Sequence, residues 1–146
     1  MKVENYTKVE IPSTSANEGY ARAAAACFAA QLDPTLDEVN DIKTAVSEAV
    51  TNAIVHAYPN EIGKIILKLV IKEGNVLEIT VRDWGIGISD VEQALQPLYT
   101  TGDEERSGMG FTIMESFMDV LRVRSVPGKG TTVTMRKRIS RRVGRV

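Results

Sequence analysis

The chain has 146 residues, 43% of them hydrophobic and 25% charged, with a formal net charge of −1. That length predicts one domain, large enough to bury roughly two thirds of its surface without a staple. The composition excludes a disordered chain, and the mild net charge argues against a domain that binds nucleic acid through its overall field.

Cys27 is the only cysteine, which excludes an internal disulfide, and its alanine-rich neighbours predict a small buried hydrophobe. The N-terminal MKVENYTKVEIP has no apolar core of a signal peptide, and no apolar run approaches a membrane span. A cytoplasmic protein is the expectation. The domain is expected over residues 1–139, with 140–146 a solvated basic tail.

Tyr6 to Ile11 alternates as a strand does, and Pro12 ends it. Ser15 to Glu18 reads as a capping box opening an alanine-rich helix to about Leu32, with Ala21, Ala25, Phe28, Ala29 and Leu32 on its buried side. Arg22 lies off that stripe, either as a solubilising charge or as a contact for a partner. Asp33-Pro34 breaks the chain, and Thr35 to Glu38 is a second capping box. It opens a helix to about Ala57 that should pack antiparallel to the first.

On this second helix Val39, Ile42, Val46, Val50, Ala53 and Ala57 share one apolar arc, while Glu48, Asn52 and His56 fall opposite it. A carboxylate and an amide oxygen one turn apart suit a hard cation such as Mg²⁺, or a base beside one. On spacing alone a solvated helix face is the better explanation, and the residues that change this lie downstream.

Lys64 to Lys72 and Val76 to Asp83 form a hairpin through Glu73-Gly74-Asn75. Ile65, Leu67, Leu69 and Ile71 face one way with Leu77, Ile79 and Val81, so the sheet is covered on one side and mostly wet on the other. By the same parity Asp83 points inward, where an unpaired carboxylate would cost several kcal/mol, so a donor must meet it. Gly85 and Gly87 follow, two glycines that let a ligand approach the backbone, although an Asp capping a turn reads as well there.

Asp90 to Leu95 can form a short helix before Pro97. Residues 100–110, TTGDEERSGMG, have the composition of a lid loop. SGMGF, Ser107 to Phe111, then opens a helix, and backbone N–H groups at a glycine-rich helix start suit a phosphate. Leu121 to Val126 and Thr131 to Ile139 make a second hairpin. The order predicts an α+β two-layer sandwich, its sheet mixed or mostly antiparallel, with helices on one face.

ExxxN on a helix, DxGxG after a strand and GxG opening a helix together describe a nucleotide site. An inward Asp can accept from adenine's amino group, whereas guanine would present a carbonyl, so ATP is expected over GTP. The Walker pattern is absent.

These segments resemble the gyrase, Hsp90, histidine kinase and MutL (GHKL) superfamily with its Bergerat-type ATP-binding fold. SEAVTNA resembles its N box, DWGIG, SGMGF and GKGTTV its three glycine boxes. Within it, QLDPT, VSEAVTNAI and ERSGMGFTIMESFMD are similar to the anti-sigma F family of spore-forming bacteria, serine-protein kinases that phosphorylate an anti-anti-sigma factor. The resemblance implies Glu48 as general base and Asn52 as the Mg²⁺ ligand. It implies Asp83 with Thr131 at the adenine of ATP or ADP, and Gly85, Gly87, Ser107, Gly108, Met109 and Gly110 shaping the loops around the nucleotide. Arg106, the lid's one cation, is inferred as a γ-phosphate or partner contact. The resemblance further implies that the ATP-bound homodimer holds a sigma factor until the anti-anti-sigma partner displaces it, without DNA contact. The first strand would be a natural edge for pairing two copies. A general-stress anti-sigma kinase, a non-catalytic ATP-binding switch and an ATPase acting on water are the alternatives. His56 is read as structural.

Overall fold

The computed structural model describes residues 1–96 and 110–140. Two helices and two hairpins anticipated from the pattern are present. The elements are β1 (Val3–Pro12), α1 (Ala16–Ala29), α2 (Leu36–Asn52), β2 (Lys64–Lys72), β3 (Val76–Asp83), α3 (Val91–Ala94), α4 (Gly110–Phe117), β4 (Val120–Val126) and β5 (Gly130–Arg138). The sheet runs β1-β2-β3-β5-β4, and every pair is antiparallel. The three-residue turn between β2 and β3, Glu73 to Asn75, places Gly74 and Asn75 at φ 83° and 60°, left-handed positions that glycine and asparagine tolerate.

One face of the sheet carries Leu67, Leu69, Ile79 and Met135, fully buried beneath Ile42, Val46 and Val50 of α2 and Met114 of α4. Each such side chain contributes roughly 1.5–3 kcal/mol by leaving water. Ala21, Ala25 and Ala29, four residues apart, form a buried alanine stripe on α1, and Phe28 is half-buried. Cys27 departs from the expectation: it is exposed, because it lies two residues, or about 200° of helix, from both Ala25 and Ala29.

The two anticipated capping boxes have opposite outcomes. Thr35 and Glu38 form theirs, and the Glu38 carboxylate also accepts from Ser140 N at 2.8 Å, clasping the end of the sheet to α2. Ser15 forms none: its own φ/ψ of −59°/−31° are already helical, and Glu18 pairs with Arg22 at 3.1 Å. Asn17 fastens this entry instead, donating to Pro12 O and Thr14 Oγ1.

The α-helical part of α2 ends at Asn52 rather than Ala57, and a π-turn over Ala53–Ala57 completes it before Tyr58. Tyr58 is buried, and its hydroxyl accepts from Trp84 N and donates to Lys64 O, each at 2.7 Å. That pair of bonds fixes the end of β3 to the start of β2. Among the described residues no helix is long and apolar enough to cross a membrane.

Candidate functional site

Asp83 is the last residue of β3 and follows Val81 on the inward face, so strand parity alone drives a carboxylate into the protein. It is 7% exposed. Its Oδ1 accepts from Gly85 N at 3.0 Å and from Thr131 N at 3.1 Å. Burial pushes the carboxyl above the usual carboxylate range, and these two N–H donors only partly oppose it. Both donors use Oδ1, so Oδ2 keeps its capacity to accept a further hydrogen bond. The Thr131 hydroxyl lies 2.7 Å from Ser125 Oγ, which also accepts from Ile88 N at 2.7 Å and donates to Gly130 O at 3.1 Å. Ser125 thereby couples three stretches around Asp83: the end of β4, the start of β5 and the loop after β3.

The glycines explain how these loops come so close. A Cβ on Gly85 would land on the Ala57 backbone, and Ile86 N donates to Ala57 O at 3.0 Å. The loop after β3 is thus stapled to the C-terminal end of α2, the helix that carries Glu48 and Asn52. Gly87 sits at φ +77°, where a Cβ would strike Val126 O, and Gly128 N donates to Ile86 O at 2.7 Å. Gly130, at φ +127°, presses on the backbone of Asp83 and Trp84.

Glu48 and Asn52 occupy successive turns of α2, and the first residue of α4 meets both. A Cβ on Gly110 would lie 3.3 Å from Glu48 Oε2 and Asn52 Nδ2 and 3.4 Å from Asn52 Oδ1. Glycine there lets the start of α4 approach the carboxylate and the amide without crowding them. Among the described residues no three His, Cys, Asp or Glu side chains cluster as a complete metal site. Asn52 Oδ1 nevertheless fits Mg²⁺, which is commonly held by few protein oxygens together with phosphates and water.

The structure therefore brings Glu48, Asn52 and Gly110 together, and separately Asp83, Gly85 and Thr131, with Gly87 in the loop that follows β3. Arg106, Ser107, Gly108 and Met109 lie outside the described residues. Arg22 shares a groove of about 380 Å³ with Asn40, Lys43, Thr44, Ser47 and Glu48. The sequence reading missed Tyr58 and Ser125. An aromatic residue after a helix stop reads as ordinary core, and a lone serine in a strand carries no signal of the loops it will join.

The histidine kinase-like ATPase domain family matches residues 11–137. A protein named anti-sigma F factor from Caldanaerobacter subterraneus subsp. tengcongensis is 56% identical over 142 residues, 97% of this chain and 99% of the relative. Another of the same name, from Geobacillus kaustophilus, is 54% identical over 140 residues, 95% of this chain and 96% of the relative. Among solved structures, the RsbU and RsbW domains of a Mycobacterium tuberculosis protein give a TM-score of 0.68 at 21% identity, covering 94% of this chain and 33% of that one. The histidine kinase domain of an Erythrobacter litoralis blue-light activated kinase gives 0.58 at 22% identity, covering 84% and 61%. At those identities the structural likeness is one of fold.

Proposed function

The chain belongs to the histidine kinase-like ATPase domain family, in the group whose members are named anti-sigma F factor, and from that premise we propose that it is an ATP-dependent serine kinase. In this reading it holds a sporulation sigma factor in check and phosphorylates a serine of an anti-anti-sigma partner. The observation that carries the reading is the meeting of Glu48 and Asn52 with Gly110 at the entrance of α4, on a helix tied through Ala57 to the Asp83 loop.

Asp83 Oδ2 accepts from the adenine amino group, with Thr131 and the glycines at positions 85 and 87 closing around the base. Asn52 Oδ1 would hold Mg²⁺, which neutralises charge on the phosphates when bound. Residues 107–110 wrap those phosphates through backbone N–H groups, and Arg106 contacts the γ-phosphate or the partner. Glu48 takes the proton of the partner's serine hydroxyl as the serine oxygen bonds to the γ-phosphorus. The bond from that phosphorus to the bridging oxygen breaks, and ADP departs. Arg22, across the groove from Glu48, is a contact for an incoming partner. β1 is an edge strand and offers its outer ladder to a second copy, so the assembly is read as a cytoplasmic homodimer.

The test is incubation with γ-labelled ATP, Mg²⁺ and a candidate anti-anti-sigma protein. Label on a serine of the partner is expected. Label released to water at the same rate with and without the partner would refute the kinase reading.

A further inference from the structure

The face of the sheet turned away from the helices is strongly and asymmetrically charged. Antiparallel register places directly opposed residues on the same face, so the pairings assign its side chains without ambiguity. Among the described strand residues the open face carries nine Lys or Arg and two Glu, a net of +7, on a chain whose net charge is −1. The rest of the chain, helices and loops together, therefore carries about −8.

Three of the nine cations lie at one end, two of them paired with a carboxylate. Glu78 binds Lys72 at 3.1 Å and Arg136 at 2.7 Å, and Arg138 stands beyond them. The other six are Lys8, Lys64, Lys68, Arg82, Arg122 and Arg124, all exposed and none in an ion pair among the described residues. Lys8, Lys68 and Arg122 lie in one row across the strands, with Arg82 and Arg124 in the next row. The rows are about 7 Å apart and the five strands span about 19 Å. Among the described strand residues of this face the carboxylates are Glu10, at the β1 edge in the row of Arg82 and Arg124, and Glu78, one row from Lys68 and already paired with Lys72 and Arg136.

We propose that this open sheet face is a docking surface for an acidic protein surface, separate from the nucleotide cradle. Charge complementarity selects the partner. A second copy of the chain presenting the same face is disfavoured, because it would set +7 against +7. Nucleic acid fits less well for two reasons. The aromatic ring beside the patch, Trp84, has Lys64 Nζ 4.3 Å and Arg82 Cζ 4.6 Å from its centroid, so cations cover the surface on which a base would stack. A long polyanion would also run past the patch onto the acidic remainder of the molecule, within about a Debye length of 8 Å. A compact cluster of carboxylates meets the cations and stops at their border.

The experiment measures fluorescence anisotropy of a short labelled poly-glutamate peptide, and of a single-stranded oligonucleotide of matched charge, with the full chain at low and at physiological salt. The peptide is expected to bind, to weaken with salt, and to bind about tenfold or more weakly to the Lys8→Gln, Lys68→Gln, Arg122→Gln, Arg124→Gln variant. An unchanged urea midpoint shows that this variant is folded, and Lys68→Gln with Arg122→Gln alone serves if it is not. Peptide binding unaffected by either variant, absence of binding, or tighter binding of the oligonucleotide would each overturn the proposal.

Discussion

Replacing Asp83 by Asn keeps the shape of the side chain and inverts one polar atom, which makes it the most direct test of the base-binding end of the site. An amide oxygen in place of Oδ1 still accepts from Gly85 N and Thr131 N, at 3.0 and 3.1 Å in the native protein. The amide nitrogen then occupies the place of Oδ2 and presents a donor to the adenine amino group, itself a donor. The change removes a charge-assisted bond of about 1.5–3 kcal/mol and leaves a buried donor unpaired at about 1–3 kcal/mol. ATP should bind about 3–5 kcal/mol more weakly, which is two to three and a half orders of magnitude in Kd. GTP, whose base offers a carbonyl there, should lose less, so the preference between the two narrows.

Folding should respond in the other sense. Burial lifts the Asp83 pKa in the folded chain, and the Gly85 and Thr131 donors do not fully restore it. Its contribution to stability is full below the ordinary Asp range and is lost as pH rises through the raised folded value. Near neutral pH the Asn variant should therefore unfold at a urea midpoint no lower than wild type, and the wild type should gain on it as the pH falls. Isothermal titration with ATP and urea unfolding without nucleotide measure the two halves. ATP affinity within about threefold of wild type would refute the placement of the base at Asp83.

Four further outcomes are expected. Glu48→Gln should lower transfer to the partner's serine by about 10²-fold or more while ATP affinity in the same preparation changes little; undiminished transfer removes Glu48 as the base. Gly85→Ala should destabilise the fold and weaken ATP binding together, since its Cβ meets the Ala57 backbone rather than a movable side chain; the urea midpoint and titration report both. Tyr58→Phe leaves Trp84 N and Lys64 O without their 2.7 Å partner, and should cost about 1–3 kcal/mol in urea unfolding. In Glu38, burial raises the carboxyl but hydrogen bonds from Thr35 and Ser140 outweigh it and hold it low. The stability lost in Glu38→Gln should therefore be largest near neutral pH and shrink as pH falls through the lowered value; a loss that stays constant down to acid pH would contradict this.

What the sequence revealed divides along physical lines. Strand parity placed Asp83 inside, and helical spacing placed Glu48 and Asn52 on one side of α2, because both follow from periods of two and 3.6 that local backbone geometry enforces. The same arithmetic should have placed Cys27 outside, but its alanine neighbours suggested burial by composition rather than by angle. The Ser15 box failed because a capping motif needs an extended residue at its start, and backbone angles are not written in residue types. Tyr58 and Ser125 escaped because their partners lie across the fold. The hydroxyl of Tyr58 is useful only once β2 and β3 end side by side, and Ser125 only once three loops converge.

The charged face shows why a correct average can support an incomplete inference. A net charge of −1 on the whole chain excludes a strong uniform field, and in that sense it argues against generic binding to polyanions. Screening, however, limits each charge's influence to about 8 Å, while the helical layer separates the open sheet face from the opposite surface by a sheet-to-helix packing distance of about 10 Å. A partner at the sheet therefore responds mainly to Lys68, Arg122 and their neighbours and only weakly to the acids of the helices. Alternation in β1, β2, β3 and β4 already put these cations on one face. Counting charge by strand face rather than by chain turns that alternation into a statement about which partners the surface can attract.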